Sequence, residues 1–222
     1  MTPNESFRVD LHVKVLDERV VRRAKRYGLD ALVYAPHFTQ LADIRATARE
    51  HSDDDLLVVP GRELFTGSWR NRQHVLALGL DEPIPDFVTL AGAMDECRRQ
   101  NAVVLVPHPT FLNVSLDREA IDRYREIVDT VEIYNPKHWP HHNRRARSIA
   151  TSLSLPTFGS SYAHRKRTVG EVWTTFDAAI DGVDDLLTAL REGTPGASST
   201  GQGRSIACGV PRSSHTWATK TA

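Results

Sequence analysis

Short runs of β-branched and other apolar residues recur along most of the chain, and amphipathic stretches fill most of the gaps between them. FRVDLHV (7–13), ALVYAPH (31–37), LLVVPGREL (56–64), HVLALGL (74–80), AVVLVPHP (102–109), TVEIYN (130–135) and LPTFGSS (155–161) read as strands, with an eighth at EVWTTF (171–176). Most of these runs are continuous rather than alternating, as expected of strands covered on both faces. The intervening patterns predict helices over 17–28, 39–51, 87–101, 117–127, 140–153 and 183–193. In the first of these, Val20, Val21 and Ala24 share a stripe, the Arg and Lys side chains face water, and Gly28 supplies the stop. Strand, helix, strand repetition implies a mostly parallel α/β fold, and seven or eight strands favour a distorted (β/α)7 TIM-like barrel over an open doubly wound sheet. No Gly-rich loop of the dinucleotide or P-loop type follows any strand.

The periodicity stops at Thr194. Residues 1–193 are therefore expected to form the barrel domain and 194–222, dominated by Gly, Ser, Thr and Pro, a poorly structured tail. Displacing permitted codons for this segment by one nucleotide allows an amphipathic, helix-like continuation, so the tail also reads as a frameshifted end. An ordinary disordered tail stays open beside that reading.

Basic and acidic residues both total 28, but Arg204, Arg212 and Lys220 lie in the tail, which leaves the barrel with 25 basic against 28 acidic groups. No excess of positive charge points to nucleic acid or an anionic membrane. The N-terminus has no apolar leader segment, and no run approaches the roughly 18 apolar residues of a membrane span. Cys97 and Cys208 form no disulfide framework or Cys-x-x-Cys site, which suits a reducing cytoplasm.

The ten histidines need a chemical explanation. His12 closes the first strand, His37 the second and His108 the fifth; His164 follows the seventh, Glu63 closes the third and His74 opens the fourth. In a parallel barrel the strand C-termini converge on one mouth, so these side chains would meet there. Imidazoles with one carboxylate suit a divalent cation such as Zn²⁺, Mn²⁺ or Fe²⁺.

DLHVK, YAPH, PGREL, HVLALG, VPHP, VEIYN and GSSYAHR resemble, in order and spacing, the motif series of the PHP family of polymerase and histidinol phosphatase domains, over residues 7–193. The resemblance implies a distorted barrel, metal ions at the strand C-termini, and phosphate ester hydrolysis in which a hydroxide bridging two or three metals attacks phosphorus. Three positions depart from the family pattern: Lys14 stands where its second His would be, Pro36 and Tyr162 where it has Asp. An ammonium has no lone pair to donate, a proline side chain has no ligand atom, and a neutral phenol is a poor ligand.

By this resemblance Glu63, His74 and His108 fill one metal pocket, His37 and His164 part of a second, and His12 with Glu63 the remnant of a third. The Lys14 ammonium is expected to take the place of that third metal, the alternative being that it extends out of the mouth to water. One ion is expected, with two as the alternative. Arg70 and Arg72 in GSWRNRQ, and Asn135 and His138 after the sixth strand, are candidate phosphate contacts. Arg144 and Arg145 read as a solvated helix face.

The resulting expectation is a metal-dependent phosphoesterase with a reduced site, acting on a small phosphorylated molecule, with His37, His164 and Lys14 as catalytic groups. The alternative is an inactive barrel that binds a metal or anion as a regulatory module. No membrane or specific nucleic-acid partner is implied, and the oligomeric state is left open.

Overall fold

A computed structural model describes residues 6–112, 114–193 and the backbone of 195–200 and 205–206. In chain order it contains β1 (Phe7–Val13), α1 (Glu18–Arg26), β2 (Ala31–Tyr34), α2 (Leu41–His51), β3 (Leu57–Ser68), β4 (Asn71–Leu78), α3 (Leu90–Arg99) and β5 (Val103–Val106). Then follow α4 (Arg118–Arg123), β6 (Val128–Tyr134), α5 (Pro140–Leu153), β7 (Thr157–Gly159), β8 (Val172–Phe176) and α6 (Val183–Arg191). The backbone of β9 (Pro195–Thr200) pairs antiparallel with β8, and β10 (Ser205–Ile206) pairs with β9. The other residues of the expected poorly structured tail lie outside the described ones.

Three of the helices, α1, α3 and α4, begin where a polar side chain satisfies free backbone N–H groups. Asp17 accepts from Arg19 N and Val20 N, Thr89 from Gly92 N, and Asp117 from Ala120 N. In α1, Val20 and Ala24 are buried, and the chain leaves the helix through Gly28 at φ +66°.

The sheet runs β8-β1-β2-β3-β4-β5-β6-β7 and curls into a nearly closed eight-stranded barrel, the distorted TIM-like architecture expected. Two strands are reversed: β4 is antiparallel to both β3 and β5, and β8 is antiparallel to β1. Closure comes from Gly159 N, which donates to Thr174 Oγ1 (3.1 Å), and from the segment after β7, where Ala163 N donates to His12 O and Lys14 N to Ala163 O.

Strand side chains alternate between faces, and the core divides accordingly. Val9, Val33, Val59, Leu76, Leu105 and Phe158 fill the barrel together with Leu186 and Leu190 of α6, which plugs one end. Val58 and Leu32 pack outward against α1 and α2, and Leu64, Val75 and Val104 face the shell that includes α3 and α5. Gly61 lies on the inward face of β3, where a Cβ would come within 2.6 Å of Leu78 and 2.8 Å of Val33. No helix among the described residues is long and apolar enough to cross a membrane.

Candidate active site

The alternation that buries Val59 and Gly61 inside the barrel carries Glu63 inward at the far end of β3. On β4 the same face holds Leu78, Leu76 and, nearest the hairpin, His74. Because β4 runs backwards, its beginning shares the mouth with the ends of the parallel strands. This explains why His74 opens its strand while the other candidates close theirs. On β1 the pairing register slips between Asp10 and Val13. Leu11 lies in the inner core and Val13 in the outer one, so the slip turns His12 inward.

Glu63 is fully buried at the centre. Its Oε1 lies 3.0 Å from His74 Nδ1 and 3.1 Å from His108 Nε2. Its Oε2 lies 2.9 Å from His12 Nε2 and 3.3 Å from His37 Nε2, and it forms an ion pair with Lys14 Nζ. Lys14 Nζ is also 2.5 Å from His37 Nε2 and 5.4 Å from the centre of the Tyr162 ring. Its side chain is 6% exposed, so the ammonium points into the mouth and does not extend to water.

Burial alone would raise the Glu63 carboxyl, but Lys14 and His12, with hydrogen bonds from His108 and His12, hold it well below the usual carboxylate range. Burial lowers the Lys14 ammonium, and Glu63 opposes that shift. Burial also lowers His12, His37 and His108 to about 4 each, so these rings are neutral at pH 7.

The donor set fits a divalent cation. His37, Glu63 and His74 each offer a ligand atom, all within 4.8 Å of one another. Both His74 ring nitrogens are buried without a hydrogen-bond partner among the described residues, so the 3.0 Å approach to Glu63 is not a hydrogen bond. Ligands about 2.1 Å from a tetrahedral ion lie roughly 3.4 Å apart, close to the Glu63 spacings to His74 and His108. His108 Nδ1 lies 2.9 Å from Ser115 Oγ, which fixes its ring, while its backbone sits at φ +35°.

The remaining candidates lie farther out. His164 is exposed, its ring edge-on to Tyr162 at 4.4 Å between centres. His138 stacks on Phe111 at 4.1 Å, 6.2 Å from the His108 ring, and burial lowers it to about 3. Asn135 is buried but turned to the protein, donating to Glu132 Oε2 (3.3 Å) and accepting from Lys137 N. Arg70 is exposed at the β3–β4 hairpin tip; Arg72 donates to Trp69 O (3.0 Å). The Arg72 guanidinium carbon lies 5.8 Å from the Phe65 ring centre, and the Phe65 ring centre 5.4 Å from that of His74. Arg144 and Arg145 are exposed on α5.

Three polar features were not singled out by sequence reasoning. Asp10 is buried and accepts from Ser161 N, Ser161 Oγ and Gly170 N; burial raises it to about 6 despite these bonds. Glu132 accepts from His108 N (2.6 Å) and Ser160 Oγ (2.5 Å), and burial raises it to about 7. Arg62 pairs with Asp86 at 2.5 Å and donates to Pro36 O, tying the loops after β2 and β4 together. The signal for Asp10 and Glu132 was a carboxylate inside an apolar strand, which needs partners if it is buried.

The mixed barrel gathers its imidazole and carboxylate cluster at the strand ends, the face where barrels of this kind place their active sites. A family profile described as PHP-associated matches residues 140–195. The barrel is similar to that of the lesion-specific endonuclease PfuEndoQ from Pyrococcus furiosus (TM-score 0.64, 12% identity, covering 88% of this chain and 59% of that one). It is also similar to a Bifidobacterium adolescentis protein proposed to be a metal-dependent phosphoesterase (TM-score 0.57, 15% identity, covering 71% and 88%). An uncharacterized protein of Methanocaldococcus jannaschii is 31% identical over 143 residues, 58% of this chain. The match spans 55% of that relative's length. The profile match links residues 140–195 to a PHP-associated segment, and the solved structures share the barrel fold.

Proposed function

We propose that the chain is a phosphoesterase for a small phosphorylated molecule, using one divalent cation, Zn²⁺, Mn²⁺ or Fe²⁺, held by Glu63, His74 and His108. The observation that carries this reading is Glu63, buried among four imidazoles, with both ring nitrogens of His74 beside it lacking a hydrogen-bond partner among the described residues. Such a cation polarises a phosphoryl oxygen and lowers the pKa of water. Lys14 supplies a second positive charge at Glu63 Oε2, where negative charge developing on phosphate oxygens would be stabilised. His37, with Nε2 2.5 Å from Lys14 Nζ and Nδ1 3.2 Å from Glu63 O, positions that ammonium toward the phosphate. His164 stands at the rim, where an entering phosphate would meet it; His138 and Arg72 border the same opening. A reducing compartment such as the cytoplasm suits the buried free thiol of Cys97.

A non-catalytic barrel that binds a metal or anion is the second reading. It is favoured by the Lys14 and Glu63 contact, because an ammonium brings no water to attack. Metal analysis of untagged protein, followed by a phosphoester panel with each cation, separates the two. About one equivalent of metal with turnover, both lost in Glu63→Gln and His74→Ala, is the expected result. Metal without turnover would favour the regulatory module, and no metal would refute the phosphoesterase and the metal-binding form of the module.

A further inference from the structure

Phe38, Trp69 and Phe87 are 53%, 61% and 45% exposed, yet they form one cluster with the buried Phe65, their ring centres 4.8 to 6.0 Å apart. They come from three separate segments: the turn after His37, the β3–β4 hairpin tip and the loop before α3. Phe38 and Phe87 both sit at positive φ, 53° and 64°, which large L side chains disfavour. The Phe87 segment is fastened down: Phe87 N donates to Phe65 O, Gly67 N to Val88 O, and Phe65 N to Asp86, itself paired with buried Arg62. Strained backbone and exposed rings both work against folding, so a firmly held surface of this kind is built for a ligand.

The cluster continues into the candidate site. The Phe65 ring centre is 4.9 Å from Trp69 on one side and 5.4 Å from His74 on the other, and the His37 ring is 5.6 Å from Phe38. We infer that the Phe38, Trp69 and Phe87 rim is a stacking subsite for a planar aromatic ring carried by the phosphorylated substrate, a nucleoside or a simple aryl group. This inference rests on the phosphoesterase reading for the phosphate end. A flat ring stacks on exposed aromatic faces with little loss of freedom. Arg72, its guanidinium carbon 5.8 Å from the Phe65 ring centre, adds positive charge suited to an anionic ester. A second protein is a poorer occupant: three half-exposed rings offer roughly 300–400 Å², against about 800 Å² per partner in a stable interface.

Calorimetric titration of the whole chain with AMP, phenyl phosphate, ribose 5-phosphate and adenosine tests this, with and without Zn²⁺. Trp69→Ala, at an exposed hairpin tip, should weaken AMP and adenosine by about ten-fold and leave ribose 5-phosphate unchanged. Trp69→Phe should restore most of the loss. Equal dependence for phenyl phosphate identifies a simple ring as sufficient; dependence for AMP alone identifies a nucleoside. Adenosine binding that depends on Trp69, with no effect of phosphate on affinity, would uphold the ring subsite and refute the phosphoesterase reading. Equal weakening of AMP and ribose 5-phosphate, no detectable adenosine binding, or a concentration-dependent dimer dissolved by Trp69→Ala would overturn the subsite.

Discussion

Replacing Lys14 with Met tests the electrostatic balance of the barrel mouth directly. Glu63 is 0% exposed, and each imidazole around it whose pKa is resolved, His12, His37 and His108, is lowered to about 4, so Lys14 supplies the formal positive charge touching it at pH 8. The methionine stem fills the same volume but leaves a buried carboxylate with neutral neighbours. Breaking one partner out of a buried pair costs about 3–5 kcal/mol. For a domain of this size that is a fall in melting temperature of roughly 6–20 °C. Urea unfolding followed by tryptophan fluorescence at pH 8 gives the loss, and a repeat with Zn²⁺ shows whether a cation replaces the ammonium. Stability should fall in metal-free buffer and recover in part with Zn²⁺. A Lys14→Met protein within about 1 kcal/mol of the parent, with or without metal, would refute the view that this ammonium balances Glu63.

Restoring metal donors with the double change Lys14→His and Tyr162→Asp should raise bound metal above the parent's stoichiometry by elemental analysis; an unchanged ratio in a folded protein would count against Lys14 as a metal substitute. Gly61→Ala should destabilise the barrel by about 1–3 kcal/mol in urea, because its Cβ meets Leu78 and Val33 inside the barrel; an unaffected midpoint would show that these side chains can shift freely. Burial pushes the Cys97 thiol up to about 12, so it carries almost no thiolate at pH 8. Peptide mapping after iodoacetamide treatment should find Cys97 alkylated only when the protein is unfolded, and rapid native labelling would contradict its placement on the buried face of α3.

The sequence determined the elements. Each predicted strand and helix corresponds to an observed one, because apolar runs of four to nine residues and stripes at helical spacing each have one way to become buried. It also determined which residue types could meet a cation, since few side chains carry the lone pairs needed. Strand direction was not in the pattern. A buried strand reads the same forwards and backwards, and only pairing with β3 and β5 shows β4 reversed, bringing His74 to the mouth. The register slip that turns His12 inward and the partners that keep Asp10 and Glu132 buried are likewise tertiary, because Ser161, Gly170 and Ser160 come from segments distant in the chain. The aromatic rim has the same origin. Phe38, Trp69 and Phe87 show no common period in the chain and meet because the Arg62 and Asp86 pair draws two loops onto one hairpin. Local pattern fixes what each segment can bury, and the closing of the barrel fixes which polar groups end up facing one another.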